Sequence, residues 1–210
     1  LASNFPQVMP YGVVGTGVRV TDVSQIRDPL LDASFRRESA NAAGFGLRRD
    51  LLGQLEGIFA EPGTRGFATT LDAFWNAWSD LANDPTSSTA REVVKQRGEQ
   101  VALSLNGFAS RLDELTADTS ARLGSTVREL NALSSTVAEL NAQIVAAEVG
   151  GRTAGDLRDQ RNAAIDRIAQ LAPVQVGTRA NGSVSLALNG QNIVDGDSAK
   201  ALTTLNGPPN

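Results

Sequence analysis

No proline occurs between Pro85 and Pro173, and the stretch of about sixty residues from Ser87 to Val149 reads as one uninterrupted helix. Apolar residues recur along it at steps of three and four: Val101, Leu105, Phe108, Leu112, Leu115, Leu123, Val127, Leu130, Leu133, Val137, Leu140 and Ile144. They form one stripe of a repeat between 3.5 and 3.6 residues. From Leu115 to Val127 three steps of four run together through Thr119 and Leu123, a stutter that locally unwinds a heptad supercoil. At 1.5 Å per residue such a helix is roughly 95 Å long. A helix with one apolar seam is marginal alone in water, so other helices are expected to cover it. The expected class is mainly α, an elongated helical bundle or coiled-coil rod.

Composition narrows what such a rod can do. The 210 residues include no cysteine and no histidine. That removes thiolate nucleophiles, disulfides, the usual imidazole base and most zinc or haem ligation. Carboxylates, hydroxyls, Tyr11 and the lysines Lys95 and Lys200 remain, and no nucleophile–base pair stands out among them. The chain is therefore read as no enzyme, with no catalytic, cofactor-binding or metal-ligating residue and no cofactor. A net charge of −4 argues against a nucleic-acid partner, because phosphate binding rests on clustered cations. No apolar run reaches the roughly 20 residues of a membrane span, and the start shows no secretory signal pattern. The chain begins at Leu1 and stops in Gly-Pro-Pro-Asn, as a piece of a longer protein would.

Around the long helix the chain divides into smaller pieces. Residues 1–12, with Pro6, Pro10 and Gly12 and no periodicity, read as an extended or mobile arm. The valines of Val13–Val23, beside Gly15-Thr16-Gly17, suggest a short strand or hairpin. The glycines have neither the dinucleotide order nor the following Lys-Ser/Thr of a phosphate loop. Asp28-Pro29 opens a helix, an aspartate cap before a first-turn proline, and Glu61-Pro62-Gly63 ends it. Leu31, Phe35, Ala42, Phe45, Leu52, Leu55 and Phe59 mark its apolar face, and Arg36-Arg37 and Arg48-Arg49 are read as a solvated one. Phe67 to Leu81 is a helix whose Leu71, Phe74, Trp75, Trp78 and Leu81 are expected in a core.

Asn83-Asp84-Pro85 breaks that helix, and Thr86-Ser87-Ser88 offers caps to the long one. After Gly150-Gly151 a helix over about Ala154 to Leu171 turns Leu157, Ala164, Ile168 and Leu171 inward. Thr153 and Asp156 approximate a capping box. The charges from Asp156 to Arg167 alternate as on a solvated, salt-bridged face. Past Pro173, Val174 and Val176, then Val184, Leu186 and Leu188, then Ile193 and Val194 read as strands, with Asn181-Gly182 and Asn189-Gly190 as hairpin signals. Asp195-Gly196-Asp197 is too short for a calcium loop. The domains expected are 1–173, a helical rod with an N-terminal arm and β-hairpin, and 174–210, the start of a β-rich outer domain.

With these residues in this order the chain resembles the flagellar hook-associated protein 1 family. The likeness lies in Gly15-Thr-Gly17-Val-Arg-Val20-Thr-Asp-Val23 leading to Asp28, in Phe74-Trp75-Asn-Ala-Trp78-Ser-Asp-Leu81, and in Asp84-Pro85 with Ala90-Arg91. It continues in Leu140-Asn-Ala-Gln-Ile144, in Asp156-Leu157-Arg-Asp159-Gln-Arg161-Asn, and in Gly182-Ser-Val184 with Asn189-Gly190. Family members commonly carry aspartate where this chain has Asn162.

The resemblance implies a longer parent protein, with assembly helices before Leu1 and the rest of the outer domain and a returning helix after Asn210. It implies a structural role at the hook–filament junction of the bacterial flagellum, by axial packing of rod-like subunits. It also implies self-association, contacts with the hook and a second junction protein, and a flagellar export chaperone. The location implied is the extracellular flagellum, reached without a cleavable signal peptide. The alternative reading is a helical extracellular or sensor-type binding module.

Overall fold

The computed structural model describes residues 27–59, 66–149 and 153–204, with the backbone of 2–3, 7–10, 12–14 and 18–19. The protein is mainly α. Helix α1 spans Pro29–Phe59, α2 Phe67–Asn83, α3 Ser88–Glu148 and α4 Gly155–Leu171. Each falls within about two residues of the expected limits, and Asp28-Pro29, Asp84-Pro85, Ser87 and Pro173 stand at those limits because caps and prolines act locally. Glu61-Pro62-Gly63 and Gly150-Gly151 lie outside the described residues. The Asp28 carboxylate accepts the N–H groups of Leu30 at 2.8 Å and Leu31 at 3.4 Å. Ser87 Oγ accepts that of Ala90 at 3.2 Å and caps α3. A C-terminal antiparallel sheet follows in sequential order: β5 (Val174–Thr178), β6 (Val184–Leu188), β7 (Gln191–Asp195) and β8 (Ser198–Ala199).

The N-terminal pairing differs from expectation. Strands β2 (Gln7–Met9) and β3 (Gly12–Val14) pair, and β1 (Ala2–Ser3) pairs with β4 (Val18–Arg19). A hairpin within Val13–Val23 is not shown; Val14 pairs back with Gln7, inside the stretch read as an arm. Pro10, with its fixed φ, sits between the paired Met9 and Gly12, where a turn favours it. Gly15-Thr16-Gly17 and residues 20–26 lie outside the described residues.

Contacts divide the chain into two units, Leu1–Ala43 with Thr126–Asn210, and Gly44–Ser125. The first contains the buried apolar cluster: Leu130, Val137 and Ala138 of α3, Ala164, Ile165 and Ile168 of α4, and Val184, Leu186, Ile193 and Val194 of the sheet. The C-terminal part of the α3 stripe is therefore covered by α4 and a sheet face, not by helices alone. A register shift between Leu186 and Ala187 explains why Ile193 and Val194, consecutive in β7, are both buried. The extra residue breaks the alternation that a regular strand would impose.

The turns follow their sequences. Asn189 (φ 49°) and Gly190 (φ 80°) form the two-residue connection between β6 and β7 with both residues left-handed, as a type I′ turn requires. Asn181-Gly182 instead belongs to a longer loop, in which Gly182 N–H reaches Arg179 O at 3.0 Å and Gly182 is left-handed.

In the second unit only Ala77 and Val94 are buried apolar residues among those described. Phe108 contacts Phe59 and Phe67, with ring centroids 5.2 and 5.5 Å apart. Leu52, Leu55, Phe59, Phe67 and Leu71 line an apolar groove of about 500 Å³. Trp75 and Trp78, expected in a core, are 59% and 47% exposed, although Phe74 touches both rings. The expected apolar face of α1 is likewise uncovered at Leu31, Phe35, Phe45 and Leu52. Helical periodicity identifies a face able to pack, but it does not supply the element that covers it.

Candidate functional site

Four of the five buried polar residues among those described, Ser134, Asn141, Arg161 and Ser183, lie on α3, α4 and the β5–β6 loop, and the site is built outward from Asn141. A mid-helix asparagine gains nothing from the helix itself, since its side chain competes with the backbone for hydrogen bonds. Asn141 lies beside the stripe residues Leu140 and Ile144, so the same face that buries them buries its amide completely. All of its hydrogen-bonding capacity is used. Nδ2 donates to Val184 O at 2.8 Å and Gly196 O at 2.7 Å, and Oδ1 accepts from Val184 N at 3.0 Å and Arg161 Nη1 at 2.9 Å.

Arg161 was expected on a solvated face and is instead buried. Its Nη1 also donates to Gly182 O at 2.8 Å, which joins α4 to the β5–β6 loop. Burial lowers its proton affinity first, the neighbouring Arg158 cation lowers it further, Glu148 opposes and Arg36 adds slightly. A guanidinium starts so high that it stays charged.

Beside it, Glu148 in the last turn of α3 binds Arg158 through both oxygens, each at 2.7 Å. Its Oε1 also accepts the N–H of Ala154 at 3.0 Å. The expected capping box of Thr153 and Asp156 does not form: Ala154 is the N-cap residue and no side chain of its own segment caps α4. A carboxylate from the preceding helix takes that place, and an anion there also suits the helix dipole. The Arg158 hydrogen bonds hold the Glu148 carboxyl at about 2, well below its ordinary 4.5; burial opposes them and the Ala154 N–H assists. Gly182 rests on this pair, and a Cβ there would meet Glu148 Oε2 at 2.9 Å and Arg158 Nη2 at 3.0 Å.

Two further anchors complete the site. Arg36, also expected to be solvated, is buried with Nε 2.7 Å from Asp166 Oδ1, while its neighbour Arg37 is exposed. Arg27 adds a 3.2 Å contact to the other Asp166 oxygen. Asn131 on α3 pairs with the backbone of Leu202 at both ends of its amide, donating to O at 2.9 Å and accepting from N at 2.8 Å.

The charged run of α4 thus has two kinds of side. Asp156 is exposed, whereas Arg158, Arg161 and Asp166 hold other elements. Alternating sign along a helix does not separate these cases, because the partners lie far away in sequence. Asn131 was missed in the sequence, and Asn141 stood out there only within a resemblance. The available signal was an asparagine placed beside a leucine of the apolar stripe inside good helix formers. Among the described residues no group of three or more acidic, histidine or cysteine side chains could hold a metal ion. No helix among them is long and apolar enough to cross a membrane. What this arrangement does is hold: its polar side chains anchor α3, α4 and the β-region to one another.

Comparison with known proteins agrees with a structural role. Residues 52–210 match the family described as the flagellar hook-associated protein FlgK helical domain. The chain is similar to flagellar hook-associated protein 1 of Bacillus subtilis, at 32% identity over 176 residues, which are 84% of this chain and 35% of that protein. It is also similar to flagellar hook-associated protein 1 of Salmonella typhimurium, at 22% identity over 197 residues, 92% of this chain and 35% of that one. The solved flagellar hook junction protein FlgK from Burkholderia pseudomallei matches with a TM-score of 0.71 and 27% identity, over 80% of this chain and 29% of the other. The chain therefore spans about a third of the length of these curated relatives.

Proposed function

The chain belongs to the flagellar hook-associated protein FlgK helical domain family, and from that premise we propose that it serves the bacterial flagellum as a structural junction protein, joining hook to filament by axial packing of rod-like subunits. The observation that carries this reading is the match of residues 52–210 to that family, in a chain whose polar residues anchor elements to one another. On this reading the protein acts outside the cell as part of the flagellum and performs no catalysis. Its partners are further copies of itself and the neighbouring axial proteins, hook and second junction protein, with an export chaperone before assembly. The helical part up to residue 173 is the axial element, and the sheet from residue 174 begins a β-rich outer domain.

Electron microscopy of cells deleted for the gene tests the proposal. Hooks without attached filaments are expected, restored by the gene in trans. Normal filaments on the deletion strain would overturn it.

A further inference from the structure

The sheet is held to the helices in two physically different ways. Its apolar side chains Val184, Leu186, Ile193 and Val194 share a core with α3 and α4. Such contacts are strong but non-directional, and by themselves they allow a sheet to slide or rock over a helix. The polar contacts are directional, and at three of the anchor points they fall on main-chain atoms alone: Val184 N and O, Gly196 O, and Gly182 O. The β6–β7 ladder reaches Ser185 and Asp195 as its outermost paired residues. The next rung would join Val184 to Gly196, and the amide of Asn141 occupies that place, bonded to both.

Asn131 repeats the device on Leu202, a residue outside the strands, with a matched donor and acceptor. The two asparagines are ten residues apart, about 15 Å along the helix. From Gly196 to Leu202 the chain therefore runs from one anchor to the other, towards the N-terminal end of α3.

We propose that Asn131 and Asn141 are positioning residues, a pair of main-chain clamps on α3 that fix the register and direction of the sheet and of the chain leaving it, with Arg161 bracing the second clamp from α4. Force on the β-region then enters the helices through backbone hydrogen bonds, independently of which side chains the exposed sheet face carries. The inference stands on these contacts whether or not the flagellar role holds.

Amide hydrogen exchange on the full chain tests it, with Asn141→Leu and Asn131→Leu as single variants. Asn141→Leu replaces the amide by an apolar side chain of similar size and leaves the Val184 N–H without its acceptor. Exchange at Val184 is expected to rise about tenfold or more, while amides of α4 around Ile165 and Ile168 stay within about twofold. Asn131→Leu is expected to release the Leu202 amide and leave Val184 unchanged. Asn131 is only partly buried, so this variant decides the matter if Asn141→Leu fails to fold. Unchanged exchange at the clamped amide would overturn the proposal. So would a parallel rise across the α4 and sheet amides, which marks a general loss of stability and not a loss of position.

Discussion

At the scale of single residues, Glu148 does the most with the least chain. One carboxylate ends α3, caps α4, binds Arg158 and supports the Gly182 turn. Its folded-state pKa of about 2 lies below the ordinary 4.5, so the group stabilises the fold above pH 4.5. That contribution is lost as pH falls from about 4.5 towards 2. Glu148→Gln keeps the shape and removes the charge, and should cost about 1–3 kcal/mol at neutral pH. Thermal midpoints measured from pH 7 to pH 2 should show the wild-type advantage shrinking through that window. A constant difference down to pH 2 would mean that the charge is not what stabilises the corner.

Elements show how one periodic pattern can have two fates. The α3 stripe runs from Val101 to Ile144 with one stutter at Thr119, yet Leu130, Val137, Leu140 and Ile144 are buried while Leu105 and Leu123 are about half exposed. The difference lies in what returns to cover the helix: α4 and the sheet meet its C-terminal part. Leu130→Asp should therefore cost several kcal/mol, since an unpaired charge would sit in the core. Leu105→Asp should stay within about 0.5 kcal/mol in this chain. Urea unfolding of both variants distinguishes them, and equal losses would show that the stripe is buried throughout.

At the scale of the molecule, the two units are unequal in what holds them. The unit made of 1–43 and 126–210 has the shared apolar cluster, the Asn141–Arg161 anchors and the Arg36–Asp166 pair. The unit Gly44–Ser125 has, among the described residues, two buried apolar side chains, its aromatic contacts and an open groove. Protection of amides tracks buried apolar contact, so exchange in α2 should be faster than in α4 by about an order of magnitude or more. A protein that protected α2 and α4 equally would have a better-closed second unit than this.

What the residues determined alone acts over a few positions. The four helices, the capping by Asp28 and Ser87, the strands after Pro173 and the Asn189-Gly190 turn were legible because caps, prolines and left-handed glycines act on their own neighbourhood. Even the inward side of α4, at Ala164 and Ile168, follows from spacing. Tertiary structure decided which faces are covered and which charges are buried. Arg36 and Arg161 look like their neighbours in sequence, and only Asp166 and the Asn141–Gly182 corner distinguish them. The α4 cap comes from Glu148 across a helix connection, and the register of the sheet against α3 rests on Asn131 and Asn141 meeting backbone 43 to 71 residues away. Those partners are brought together by burial of the shared core, a long-range event that local periodicity does not encode.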